Sequence, residues 1–127
     1  MLIPGFLALV GTIIGGTFAD IDLAPPLPVR HRSAWTHGPL IPFVLALLAT
    51  QHIYGWWFAV GFLPAFAYHL LADMAPKKWQ GGAKISLFPL PGRLPAALSF
   101  LYLAGGVGFS LYILVGLVGA VAEFVIF

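Results

Sequence analysis

The chain has 127 residues, of which 61% are hydrophobic and 8% are charged, with a formal net charge of +2. An ordinary soluble domain has roughly 45–50% apolar and about 25% charged residues, so this composition excludes a disordered chain, a coiled coil and a typical cytosolic enzyme. It predicts one domain, residues 1–127, whose main solvent is lipid. The absence of cysteine excludes a thiolate metal site and a cysteine nucleophile. With six basic residues and no basic run, we expect no nucleic-acid partner.

Three stretches without Asp, Glu, Lys or Arg predict where the chain crosses the membrane: residues 1–19, 38–72 and 94–122. A span needs about 20 apolar residues. The middle stretch is too long for one span, so it holds two helices, and the predicted turn between them is at residues 51–55. We therefore predict an all-α integral membrane bundle. Its four transmembrane helices cover about 2–19, 38–52, 55–74 and 95–123, and irregular interfacial loops cover 20–37 and 75–94.

A cleaved signal peptide is the alternative interpretation of the first stretch, because Thr17-Phe18-Ala19 resembles a cleavage site. No lysine or arginine precedes Arg30, so the positively charged start of a signal peptide is missing. We therefore expect the first stretch to be retained as a helix.

The basic residues all lie in the two predicted interfacial loops: Arg30, Arg32, Lys77, Lys78, Lys84 and Arg93. Four spans put both loops on one side of the membrane, and the positive-inside rule assigns that side to the cytoplasm. The sequence thus predicts a multi-pass protein of the cell inner (plasma) membrane, surrounded by membrane lipid, with both termini outward.

Small residues recur at helical spacing in the first and last helices. Gly11 and Gly15 form a GxxxG pattern, and the last helix carries Ala104, Gly108, Gly116 and Ala120 along one face. Such faces let helices approach closely in lipid. We expect them to pack the bundle; the alternative is that they join copies of the chain in a homo-oligomer or dock it in a larger membrane complex.

Polar residues gather at one end of the predicted bundle. Asp20 and Asp22 end the first helix, His31 and His37 lie in the first loop, and His69 and Asp73 end the third helix. Ionisable groups against hydrocarbon are costly and are usually paired, hydrated or functional. His69 and Asp73 lie four residues apart and face the same way on a helix. Oxygen and nitrogen ligands of this kind suit a divalent metal ion: Zn, Mn, Fe or Mg.

Simpler interpretations exist for each of these groups. A hydrogen-bonded pair of His69 and Asp73 would close a helix end. Aspartates at a helix end, such as Asp20 and Asp22, are typical of a turn. His37 would cap the second helix. His52 is best explained as the polar residue of a tight turn, and Glu123 reaches water at the outward end. The convergence of three separate segments nevertheless favours a shared metal site.

Three ordered motifs resemble those of one family. DID at 20–22, HRSAWTH at 31–37 and YHLLADM at 68–74 resemble the YdjM-like family of inner-membrane metal-dependent hydrolases, over about residues 11–75. The resemblance implies the metal ligands Asp20, Asp22, His37, His69 and Asp73. It also matches His31 and Arg32 to the HR part of the second motif, although Ala19 replaces the family's usual proline before DID.

These observations lead to a functional hypothesis. A bound divalent ion generates hydroxide near neutral pH, with His31 as a proton carrier and Arg32 holding an anionic group. The basic loops would concentrate anionic lipid headgroups, which favours hydrolysis of a phosphoester or lipid-linked substrate at the cytoplasmic interface. The alternative is a non-catalytic membrane subunit with a structural metal site that docks a larger complex. An ion or proton carrier is disfavoured because the spans contain few polar residues.

Overall fold

The computed structural model describes residues 2–23, 32–74, 84–87 and 90–126, and the named elements in these ranges are all helices. The four α-helices are α1 (Leu2–Phe18), α2 (Leu40–Ala49), α3 (Ile53–Asp73) and α4 (Ala96–Ile126). A 3-10 helix, Ala19–Leu23, directly follows α1. The predicted all-α fold with four helices is therefore confirmed.

Three of the helices in the described ranges are long and apolar enough to cross a membrane, over Leu2–Ile21, Ile53–Asp73 and Ala96–Ala120. Their outward faces carry large exposed apolar side chains, such as Leu9 on α1 and Val115 on α4, which suits contact with lipid. The membrane character predicted from composition is thus supported by helix length as well.

The helix α2 is shorter than the predicted range of 38–52. Its 10 residues rise about 15 Å, whereas the hydrocarbon core of a bilayer is about 30 Å thick. The helix α2 alone is therefore too short to cross the membrane. Pro39 caps the helix instead of lying inside it. Gly38 precedes the cap, and the ring of Tyr102 fills the space where its Cβ would be. At the other end the helix ends at Ala49, and Thr50 and Gln51 form the turn that leads to His52.

The helices α1 and α3 run parallel in close contact. A Cβ added at Gly11 would collide with the Phe58 carbonyl oxygen, and one added at Gly61 would collide with that of Ala8. This contact confirms that the GxxxG face of α1 packs the bundle. Because the two helices are parallel and in register, they terminate at the same end of the bundle, called the loop end below.

The small residues of α4 pack differently from the prediction. Gly108 and Gly116 have no atom of the described residues within 4 Å of an added Cβ, whereas Gly106 lies against Leu70 and Gly38. The prediction for that face of α4 was therefore wrong. The helix is rotated so that its buried side carries Leu103, Gly106, Val107 and Ser110, which follow the i, i+3, i+4, i+7 pattern of one helix face.

The segment 84–87 enters the bundle instead of lying only on its surface. Ile85 and Ser86 are fully buried, and the Ile85 N–H donates to Ser99 Oγ at 3.1 Å. Ile85 belongs to the main core cluster with Phe66, Leu70 and Leu103. This core lies beneath the loop end and supports the polar residues gathered there.

Candidate metal centre

The loop before α2 is held against the segment 84–87 by backbone hydrogen bonds. The Ser86 N–H donates to the Arg32 carbonyl at 2.8 Å, and the Ala34 N–H donates to the Ser86 carbonyl at 2.9 Å. Ser86 also bridges to Arg93 on its other side. The hydroxyl of Tyr102 donates to the Ala34 carbonyl at 2.6 Å. Together these bonds fix the loop 32–37 over the ends of α1 and α3.

His37 is fully buried at this loop. Its Nδ1 lies 2.8 Å from Thr36 Oγ1, which orients the ring and directs Nε2 toward the end of α3. There Nε2 lies 3.3 Å from Asp73 Oδ2. Hydrogen bonding at one ring nitrogen, with the other nitrogen directed at a shared centre, is the usual arrangement of a metal-binding histidine.

His69 has a defined tautomer in its neutral form. Its Nδ1 lies 2.9 Å from the Gly16 carbonyl oxygen, and because a carbonyl only accepts, Nδ1 carries the proton. The lone pair of a neutral ring then lies on Nε2, which is 3.5 Å from Asp73 Oδ2 and 3.7 Å from Asp20 Oδ1. This buried nitrogen makes no hydrogen bond to any residue the structure describes.

The two carboxylates differ in surroundings. Asp73 is buried, and its Oδ1 accepts a hydrogen bond from Arg32 Nη2 at 3.1 Å while its Oδ2 faces both histidines. Asp20 lies at the rim, with 45% of its side chain exposed. The site is therefore closed on the side of Asp73 and open on the side of Asp20.

The distances between these ligand atoms are long for direct hydrogen bonds and are compatible with a shared ion. Charged N–H···O⁻ bonds are about 2.7–2.9 Å long, whereas the three nitrogen–oxygen distances here are 3.3, 3.5 and 3.7 Å. Two ligands on one tetrahedral ion, each bonded at about 2.0–2.1 Å, lie about 3.3–3.4 Å apart. One ligand atom each from Asp20, His37 and His69 also falls within a mutual 4.8 Å.

The electrostatics of the cluster require positive charge at its centre. A neutral His69 directs a lone pair at two carboxylate oxygens, and this arrangement is repulsive unless a cation lies between them. That cation is either a metal ion or the proton of an imidazolium. The guanidinium of Arg32 neutralises one carboxylate from outside the cluster, since it contacts the Asp73 oxygen that faces away from the histidines.

Three of the five predicted metal ligands, Asp20, His37 and His69, form one group with ligand atoms within 4.8 Å of one another, and Asp73 contacts both histidines. The fifth, Asp22, lies in the 3-10 helix, but its side chain is outside the described residues, as is all of His31. Arg32, predicted to hold an anionic group, instead donates to Asp73 and is 7% exposed.

Two groups around the centre were not predicted. Thr36 orients His37, and the only sequence signal for it is a hydroxyl residue directly before the histidine. Gly16 supplies the carbonyl for His69, and no side-chain pattern marks a backbone acceptor.

Comparison with known proteins adds no further constraint. No family model, curated protein or solved structure matches the chain. The interpretation of the site therefore depends on its geometry, and the resemblance to the YdjM-like family stays a prediction.

Proposed function

We propose that the protein is an integral-membrane hydrolase whose divalent metal ion is bound at the loop end by Asp20, His37, His69 and Asp73. The observation that carries the proposal is the set of nitrogen–oxygen distances of 3.3–3.7 Å among groups from three separate segments. Imidazole and carboxylate ligands suit Zn²⁺, Mn²⁺ and Fe²⁺, and carboxylates also suit Mg²⁺.

The open side of the site supports a catalytic role. Beyond its four protein ligands the ion would keep a fifth position for water, and it would lower the pKa of that water so that hydroxide forms near neutral pH. Asp20 lies on the exposed rim, which is where water and substrate would reach the ion. His37, His69 and Asp73 would hold it from the buried side.

The depth and charge of the site favour a lipid-phosphate substrate. The ligands lie where α1 and α3 terminate, which corresponds to the headgroup level of a bilayer. Lys84 and Arg93 are exposed on either side of Ser86, which pairs with Ser33 and with Arg93, and cations at this level attract anionic headgroups. We therefore propose a phosphoester in a lipid or lipid-linked molecule as substrate, at the cytoplasmic face of the inner membrane. The motif resemblance to the YdjM-like family is in keeping with this assignment.

A structural metal site in a non-catalytic membrane subunit is the second candidate. The observation in its favour is the burial of His37 and Asp73, of which 0% and 3% are exposed. A structural site is closed by protein ligands, whereas a catalytic one keeps an open position. The two candidates therefore differ at Asp20: its replacement by asparagine would impair turnover in the enzyme and only weaken metal binding in the structural subunit.

Metal analysis of the purified protein tests the metal centre. We expect about one zinc, manganese or iron ion per chain in the wild type, and loss of that ion in His69→Ala. His52→Asn is the matched control, because it changes a histidine at the other end of the same helix and keeps a capping acceptor. Equal metal content in all three proteins would exclude the site.

An activity assay then separates the two candidates. The wild type loaded with metal should hydrolyse a chromogenic phosphodiester in detergent–lipid micelles, and a chelator or Asp20→Asn should abolish turnover. A protein that holds its metal but turns over neither this ester nor phospholipids would favour the structural subunit.

A further inference from the structure

Arg32 has an unusual backbone conformation for its residue type. Its φ is +58°, which lies in the left-handed region that glycine, asparagine and aspartate favour and that other side chains adopt at a cost. Among the described residues other than glycine, Arg32 is the one with a positive φ. Such a conformation persists only where surrounding contacts impose it, and it is common at functional sites.

Two sets of contacts hold Arg32 in place. On the backbone side, its carbonyl accepts the Ser86 N–H at 2.8 Å, and the next residues continue the pairing through Ala34 and Ser86. On the side-chain side, its Nη2 donates to Asp73 Oδ1 at 3.1 Å in an interior position. The left-handed turn therefore connects the segment 84–87 to the end of α3.

The side-chain contact determines which oxygen of Asp73 faces the centre. With Oδ1 bound to the guanidinium, Oδ2 is the oxygen directed at His37 and His69, at 3.3 Å and 3.5 Å. Loss of the Arg32 guanidinium would remove this constraint on the orientation of the carboxylate. Orientation of a ligating carboxylate by a hydrogen-bonded neighbour is a general feature of metal sites.

We infer that Arg32 is a positioning residue, which fixes Asp73 as a one-oxygen ligand of the metal, and that Ser86 holds Arg32 in its left-handed conformation through the main chain. This inference rests on the proposed metal centre. It assigns to the segment 84–87 a role in metal affinity, although no residue of that segment is a proposed ligand.

Zinc affinity measured by competition with a chromogenic chelator, on the full chain in detergent, tests the inference. We expect Arg32→Gln and Arg32→Gly to lower the zinc affinity roughly 10- to 100-fold. Arg32→Lys keeps a cationic donor and should lose less. The visible spectrum of bound Co²⁺ should also change in Arg32→Gln, because the orientation of one ligand is altered.

The glycine variant separates side chain from backbone. Glycine adopts the left-handed conformation without steric cost, so Arg32→Gly keeps the turn and removes only the guanidinium. If Arg32→Gly binds zinc as tightly as the wild type, the side chain does not position Asp73 and the inference is overturned. Far-ultraviolet circular dichroism would reveal misfolding in Arg32→Gln. Arg32→Gly, which keeps the turn, then tests the loss of the guanidinium without that complication.

A matched pair at Ser86 tests the main-chain part. Ser86→Pro removes the N–H that donates to Arg32 and should lower the zinc affinity as Arg32→Gln does. Ser86→Ala keeps that N–H, and the hydroxyl it removes has no hydrogen bond within the described part of the chain, so it should change the affinity less than about threefold. Equal affinities in the proline and alanine variants would contradict this part. A wild type that binds no zinc would instead refute the metal centre itself.

Discussion

The two ends of the bundle use the same residue types in different ways. At the end where α2 meets α3, Thr50 and His52 are exposed and bond within their own turn, to Leu47 and Tyr54. At the loop end, His37, His69 and their partners are largely buried and come from segments up to 53 residues apart. The histidine at one end caps its own helix, whereas the histidines and carboxylates at the other end are brought together from distant segments.

The largest effect that distinguishes the two ends is expected at Asp73. Asp73→Asn removes the carboxylate charge that pairs with the buried guanidinium of Arg32, so it should destabilise the protein by about 3–5 kcal/mol and release the metal. Glu123→Gln, an exposed change in α4, should have almost no effect. Unfolding in mixed detergent–SDS micelles, followed by circular dichroism, measures both. Similar stability of the two variants would mean that the buried ion pair is not important to the fold.

The next effect concerns the packing that carries the site. Gly61→Leu places a side chain where the Ala8 carbonyl lies, so α1 must move away from α3 and Asp20 must move away from His69. We expect a loss of about 3 kcal/mol together with weaker metal binding. Gly5→Leu is the matched control because nothing lies within 4 Å of an added Cβ there. If Gly61→Leu retains full metal affinity, the site does not depend on the α1–α3 contact.

The convergence at the loop end was predictable because two simple rules determine it. The four-residue spacing places His69 and Asp73 on one face of a helix. The two helices α2 and α3 that follow α1 then return the chain to the side on which α1 ends. These rules bring Asp20 and His37 to the same region without any knowledge of the packing. They do not supply distances, so the spacing that suits an ion came from the structure alone.

Other features had no counterpart in the sequence. The partner of Arg32 lies 41 residues away, and nothing near Arg32 indicates that its guanidinium points inward instead of toward a substrate. From its sequence the segment 84–87 is predicted to be a surface loop. Its burial depends on how Ile85 fits between the helices, which the sequence does not show. On α4, small residues occur on more than one face, so composition alone does not show which face packs on α3.

A smaller effect should follow from loosening the loop while leaving the ligands intact. Tyr102→Phe removes the hydroxyl that donates to the Ala34 carbonyl and keeps the ring against Gly38. The loss of one hydrogen bond should cost about 1 kcal/mol, with a modest fall in metal affinity because His37 lies in the same loop. Stability and zinc affinity are measured as for the other variants. An unchanged affinity with reduced stability would show that the loop ligand is held by its other contacts.

The smallest effect is expected at His52, and it sharpens the contrast between the ends. His52 accepts the Tyr54 N–H at 3.3 Å and stacks on the Tyr54 ring, so His52→Ala removes a local helix cap and should cost about 0.5 kcal/mol. Metal content should stay at the wild-type level, because no ligand lies within the turn. The comparison is between histidines near opposite ends of one helix, α3. If His52→Ala lost metal as His69→Ala should, the loss would come from unfolding of the helix, and histidine variants alone would not locate the site.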